Sequence, residues 1–255
     1  MITIDSFKGK VVAITGAGAG MGKEAAVLYA KNGADVVVNS VTESAAQTAK
    51  ECEAAGGRAV FVQGDVSDEA VSKKIIDTAI ETFGKIDVLV TAAGVVRPGS
   101  VDQLEEEVVD EVLGVDVKGV IFTSKYAVRF MKEHGGGSIC HVASAACLYG
   151  VKNRSIYTAA KGAVVALTKA MAMDHAAYNI RVNALCPGAT LSPSMNQRFA
   201  DSEDPEGMRA GFIANHPIGR LCEPIEQAYG ILYMTSDEAS FMTGQNLILD
   251  GGVSL

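Results

Sequence analysis

No stretch of this sequence approaches the roughly 20 uninterrupted apolar residues that a membrane span requires, so no membrane insertion is expected. The opening residues, MITIDSFKGKVVAITG, show no long apolar segment ahead of a cleavage site, which argues against a secretory signal. Positive charge is in the minority. With 22 Lys and Arg against 30 Asp and Glu, the formal charge of −8 disfavours nucleic acid or anionic lipid as the main partner. No block of like charge reads as a tail. The five cysteines (Cys52, Cys140, Cys147, Cys186 and Cys222) are odd in number and show no CxxC spacing, which points to reduced thiols in a cytoplasmic protein rather than a disulfide or zinc framework. His134, His175 and His216 lack metal-ligand spacing, and no metal is expected. His141 falls inside a strand-like run and reads as a core histidine.

What is present is apolar and glycine-rich: 48% of residues are hydrophobic and 27 are glycine, a composition of compact α/β proteins and not of disordered chains. Short β-branched runs at 11–15, 35–39, 59–63, 87–92, 138–144, 181–186 and 246–250 read as strands. They are near-continuous apolar runs, as expected when both sheet faces are covered. Between them, 21–33, 43–57 and 68–84 have helical spacing and end in glycine. Longer helical stretches occupy about 103–133 and 155–178. Repeated strand–helix–strand units predict one doubly wound α/β domain over 1–255, with about seven parallel strands and helices on both faces. The stretch 189–222 mixes proline, charge and a short helical piece, and is expected to be a lid or binding element.

TGAGAGMG (15–22) follows the first strand and opens the first helix. Such a loop lets backbone N–H groups approach a pyrophosphate at the positive helix N-terminus, which marks a dinucleotide-binding (Rossmann) domain. No Gly-Lys-Ser/Thr follows, so a Walker phosphate loop is excluded. At the end of the second strand, Ser40 stands where an acidic residue would bind the adenine ribose. It would not repel a 2′-phosphate, yet no Arg or Lys stands beside it at Val41 or within the glycine loop. NAD(H) and NADP(H) both stay open, with the balance towards NAD(H).

SIYTAAKGAVVAL (155–167) adds Tyr157 and Lys161, four residues apart. With both motifs in place, the sequence resembles the classical short-chain dehydrogenase/reductase family over essentially its full length. The family's glycine motif matches Thr15, Gly16, Gly20 and Gly22, with Met21 between the last two. Its catalytic serine falls on Ser144, and its Tyr-Lys pair on Tyr157 and Lys161. Its adenine-binding aspartate falls on Asp65, followed by Val66, and its Pro-Gly turn beside the nicotinamide on Pro187 and Gly188. Two positions depart. The usual Asn-Asn-Ala-Gly reads Thr91-Ala92-Ala93-Gly94, where Ala92 and Gly94 are expected to line the cofactor and the change to alter packing more than chemistry. Asp116 stands where the family has a catalytic asparagine that holds a water next to the lysine. An aspartate there either holds the same water or pairs with Lys161.

Residues four apart share a helix face, with Cβ atoms about 5–6 Å apart. An ammonium roughly 4 Å from a phenol contributes about 4 kcal/mol at an effective dielectric near 20, which favours proton exchange near neutral pH. The resemblance implies that Tyr157 takes or gives the alcohol proton, while Ser144 hydrogen-bonds the substrate oxygen. It also implies that Lys161 binds the nicotinamide ribose and activates the phenol. Cys147 and Tyr149 are expected to border the substrate, with Met195, Phe199 and Phe212 in the lid. Cys147 has no paired base evident in sequence and is not read as a nucleophile.

The resulting expectation is an NAD(P)-dependent oxidoreductase acting on a secondary alcohol or ketone, with a bulky hydrophobic compound such as a hydroxysteroid as the substrate type. A 3-oxoacyl-carrier-protein reductase is the enzymatic alternative. A catalytically weakened dinucleotide-binding regulatory protein is the alternative from another class. The small residues of 155–178 and the family resemblance imply a homo-oligomer, a tetramer by analogy.

Overall fold

The computed structural model describes residues 7–255; the part of the N-terminal reading that falls on residues 1–6 lies outside the described residues. Seven strands, β1 (Val11–Thr15), β2 (Asp35–Ser40), β3 (Ala59–Gln63), β4 (Val88–Thr91), β5 (Gly137–Val142), β6 (Ile180–Pro187) and β7 (Asn246–Leu249), form one parallel sheet. Its order is β3-β2-β1-β4-β5-β6-β7. Every expected strand is present, displaced by at most two residues at its ends.

Alternation within each apolar run explains why both faces are covered. Val12, Ile14, Val36, Val38, Val88 and Val90 enter one core, whereas Val11, Ala13, Val37, Leu89 and Ile139 enter the other. In chain order the helices are α1 (Gly20–Lys31), α2 (Ser44–Ala54), α3 (Glu69–Phe83), α4 (Glu106–Leu113), α5 (Gly119–Glu133), α6 (Ser155–His175), α7 (Pro193–Ala200), α8 (Pro205–Ala214) and α9 (Pro224–Thr235). The first core takes α1, α2 and α9; the second takes α3, α5 and α6. Among the described residues no helix is long and apolar enough to cross a membrane.

Three helical readings need correction. The stretch 103–133 is not continuous: a 3₁₀ turn at Val101–Gln103 precedes α4, and a π-helical turn, Gly114–Lys118, separates α4 from α5. Gly119, just after that turn, lies so close to Val66 that a Cβ there would stand 2.6 Å from its Cγ2, an approach a side chain would obstruct. The helix expected over 155–178 ends at His175; a 3₁₀ turn, Ala176–Tyr178, follows and Asn179 adopts φ 58°. The insert at 189–222 holds two helices, α7 and α8, rather than one short piece. Each has proline in its first turn and an N-cap: Ser192 accepts from the Met195 amide at 3.2 Å and Asp204 from the Gly207 amide at 2.9 Å.

The strand order reverses between β1 and β4, which opens a crevice beyond their carboxyl ends. In doubly wound sheets that is the ligand position.

Candidate active site

At the crevice, β1 runs into the glycine loop. Gly16 has φ 66°, and a Cβ there would lie 2.5 Å from the Ala93 nitrogen. A Cβ on Gly22 would collide with the Gly16 carbonyl oxygen. Only glycine lets loop, helix and β4 end approach this closely. Ala19, the N-cap of α1, offers no side-chain hydrogen bond, so the first amides of α1 around Gly20, Met21 and Gly22 are left to an external acceptor. Ser40 closes β2 within a hydroxyl cluster; its Oγ accepts from the Ala45 amide at 3.2 Å and neighbours Ser44 Oγ at 3.3 Å. Asp65 is exposed after β3, while Val66 is buried. Ala92 and Gly94 follow β4, and Pro187 and Gly188 end β6 beside Asp250. These positions converge on one end of the sheet, and a cradle that small residues alone can leave open fits a dinucleotide.

Ser144 follows β5 and caps a 3₁₀ turn, Ala145–Cys147. Its Oγ accepts from the Ala146 amide at 3.1 Å, which leaves its proton available to a ligand. Tyr157 lies in the first turn of α6, half-buried, and its hydroxyl has no hydrogen-bond partner among the described residues. Lys161, one turn on, is buried. Its Nζ sits 5.8 Å from the Tyr157 ring centroid and donates to the Val142 carbonyl, two residues before Ser144, at 3.1 Å. The π turn aims Asp116 at the same ammonium. Oδ1 accepts from the Val95 amide at 2.8 Å, and Oδ2 lies 3.5 Å from Lys161 Nζ. Of the two placements open for Asp116, the geometry is the ion pair. Burial holds its carboxyl above the ordinary range, against the pull of Lys161 and the Val95 amide. A Cβ on Gly94 would stand 3.1 Å from Asp116 and 3.2 Å from Lys161, so the β4 end lies directly over this pair.

Cys147 is half-buried beside Ser144, donating to its carbonyl at 2.9 Å. The neighbouring Cys186 thiol lowers the Cys147 thiol below its usual value, and that of Cys186 is raised in turn. Tyr149 is pushed up by burial and then by the nearby Asp250 and Tyr157, which places it with the cluster. Met195, on α7, joins none of the core clusters. Two aromatics of the insert are engaged with each other: Phe199 is buried and meets Phe212 edge-on at 5.7 Å. His141 is buried as expected, with Nδ1 2.9 Å from Thr91 Oγ1, although its Nε2 has no partner. Burial takes this imidazole down to about 3, so it stays neutral. The threonine that replaces the family's asparagine is thus tied to β5.

Several site residues escape sequence reasoning. Gly18 abuts Ser44, and Gly20 lies against Ser192, so the start of α7 reaches the glycine loop. The lone signal for Gly18 is its place within the glycine run. Arg154 stands just before α6, three residues from Tyr157, and Arg198 lies within α7; nothing in their local sequence distinguishes them from surface cations.

A family model described as Enoyl-(Acyl carrier protein) reductase matches residues 16–254. An uncharacterized oxidoreductase of Thermotoga maritima is 43% identical over 97% of this chain and 98% of its own length. Cis-4-hydroxycyclohexanecarboxylate dehydrogenase of Sinomonas cyclohexanicum is 39% identical over 97% of this chain and 98% of its own. The crystal structure of levodione reductase superposes with a TM-score of 0.93 at 30% identity, covering 97% of this chain and 98% of that one. Matched along nearly its whole length to such oxidoreductases and folded on one seven-stranded parallel sheet, the chain belongs to the classical short-chain dehydrogenase/reductase family.

Proposed function

We propose that this enzyme interconverts a secondary alcohol and a ketone, with Tyr157 exchanging the hydroxyl proton. The observation that carries the reading is the position of Lys161. Its buried ammonium reaches both the Tyr157 ring and the carbonyl two residues before Ser144, so one fixed charge serves proton donor and oxygen binder together. Bound nicotinamide supplies the two-electron chemistry at the substrate carbon. Ser144, with its proton free, donates to the substrate oxygen and stabilises charge developing there. Lys161 holds the ribose and sets a positive charge beside the Tyr157 ring, while Asp116 tempers that charge. Gly16, Gly20, Met21, Gly22, Ser40, Asp65, Val66, Ala92, Gly94, Pro187 and Gly188 form the dinucleotide cradle, and α7 with α8 forms the lid.

NAD(H) is the favoured form, because no Arg or Lys occurs between Asn39 and Gln47, and Lys23 is engaged with Glu51 at 2.9 Å. A free small molecule is favoured over a carrier-protein substrate. Acidic residues outnumber basic ones, 30 to 22, and Arg58, Arg97, Lys125 and Arg220 are each paired with a carboxylate, which disfavours an acidic carrier. The mutual packing of Phe199 and Phe212 gives a hydroxysteroid skeleton less open aromatic surface than the sequence suggests. A homo-oligomer, tetrameric by family resemblance, fits the small exposed face of α6.

Tyr157→Phe tests the central role. Turnover of a ketone panel, followed by nicotinamide absorbance with each cofactor, is expected to fall about 10²- to 10⁴-fold while cofactor binding persists. Retention of turnover within a factor of a few would remove Tyr157 from the proton step.

A further inference from the structure

Four of the eight arginines here have a clear electrostatic answer. Arg58, Arg97 and Arg220 pair with Asp35, Glu111 and Glu226, and Arg181 donates to the carbonyls of Met234, Ser236 and Met242. Of the other four, Arg129 and Arg209 are exposed to water, whereas the two beside the candidate site are partly or wholly withdrawn from it. Arg154, the residue before α6, is 8% exposed, and its one side-chain hydrogen bond among the described residues goes to the carbonyl of its own neighbour, Asn153. Arg198, in the last turn of α7, is half-buried with its guanidinium 4.9 Å from the Phe212 ring centroid. Among the described residues it makes no side-chain hydrogen bond, and neither arginine has a carboxylate partner.

The two charges act on each other. Burial holds both guanidiniums below their ordinary value, and the Arg154 charge depresses Arg198 further. Arg154 also interacts electrostatically with Tyr157, three residues along. Like charges withdrawn from water without a counterion cost stability, more so as a pair. In a chain with 30 acidic residues against 22 basic ones, carboxylates are available to neutralise them, yet none of the described ones does. Planar guanidiniums grip carboxylate and sulfonate groups through paired hydrogen bonds.

We propose that Arg154 and Arg198 form a clamp for an organic anion, so that the substrate is a hydroxy or oxo compound bearing a carboxylate or sulfonate group. The inference rests on the proposed function, because it takes the reacting carbon to lie at Tyr157. Arg154 belongs to the edge of α6 and Arg198 to the insert, so an anion held by both draws α7 towards the catalytic helix. The aliphatic or cyclic part of the substrate then lies between the clamp and Tyr157.

The test compares 4-oxopentanoate, 4-oxocyclohexanecarboxylate and 4-oxocyclohexanesulfonate with the methyl esters of the two acids. At least one anionic ketone is expected to exceed the neutral esters by about a hundredfold in kcat/KM. The carboxylate and sulfonate arms tell which head group is preferred. Arg154→Gln and Arg198→Gln are expected to collapse that ratio towards one, and Arg198→Lys to restore part of it. Equal or better turnover of the esters, or a ratio that both variants leave intact, would overturn the clamp; Tyr157-dependent turnover of the esters would leave the proposed function standing. A second readout needs no turnover: butanesulfonate is expected to raise the melting temperature of the native enzyme and not of the two Gln variants. The same shift in all three, or none in the native enzyme, also overturns the clamp.

Discussion

Asp116 Oδ2 lies 3.5 Å from Lys161 Nζ, with side chains 0% and 5% exposed. A neutral asparagine is the family's usual residue at this position, so here a carboxyl group faces the ammonium proposed to assist Tyr157. A carboxylate this close offsets part of the lysine's field at the phenol. Asp116→Asn is therefore expected to keep or raise kcat. A loss beyond tenfold, about 1.4 kcal/mol of barrier, would show that the carboxylate is itself required. Stability carries its own signature. Because burial holds the Asp116 carboxyl above its unfolded value of about 3.9, the unfolded chain releases this proton first as pH rises. The native protein then binds more protons than the unfolded one, and stability falls with rising pH from about 4 up to the folded value. Relative to Asp116→Asn, the native enzyme should lose ground across that window in urea titrations. A constant difference from acid to neutral pH would show that the carboxyl is not perturbed.

How much of this was legible in sequence depended on range. The strands were readable because burial on both faces writes them as contiguous runs such as Val11–Thr15 and Val88–Thr91. Tyr157 and Lys161 were readable because four residues on one helix fix their side. The π turn was not, since one added residue per turn leaves composition unchanged and only shifts the phase of a helical pattern. The link between Thr91 and His141 spans 50 residues, and nothing local announces it. Arg154 and Arg198 are the hardest case, because what sets them apart is a missing partner, which becomes visible only when the carboxylates around them have been placed in space.

The glycine loop makes a graded prediction. A Cβ on Gly22 meets the Gly16 carbonyl oxygen, a backbone atom that cannot rotate away. Gly22→Ala should cost about 1–3 kcal/mol through forced backbone shifts and weaken dinucleotide binding, measured by denaturation and by fluorescence titration. Gly211 provides the contrast: it is helical, its φ is not positive, and a methyl group added there would enter open space. Gly211→Ala should instead stabilise by about 0.5–1 kcal/mol, since it removes backbone freedom from the unfolded chain without steric cost. Equal effects at the two sites would contradict the close approach at Gly22.

On its outer face α6 exposes Ala159, Ala163, Ala166 and Ala170, with Met173 83% exposed at the end of the row. Side chains this small let a second helix come close, and the proposed homo-oligomer would use this surface. Ala163→Arg should lower the mass seen by light scattering while the far-ultraviolet spectrum stays native. An unchanged mass would place any oligomer contact elsewhere.

Cys147 and Cys186 allow a test at the rim of the substrate region. The nearby Cys186 thiol is the largest influence on Cys147 and lowers it, whereas burial opposes the shift. The thiolate is the alkylating species, so Cys147 should react with iodoacetamide at lower pH than an ordinary cysteine. Removing that thiol in Cys186→Ala should move the rate–pH profile upward, because burial then acts with less opposition. Ordering of reactivity follows from exposure: Cys147 is half-buried, while Cys52, Cys140 and Cys186 are buried. Peptide mapping after brief alkylation should therefore find Cys147 modified well before those three, and a ketone substrate bound at Ser144 should slow it. Alkylation that ignores the Cys186 substitution would mean the two sulfurs do not share a proton, and protection by cofactor alone would remove Cys147 from the substrate wall.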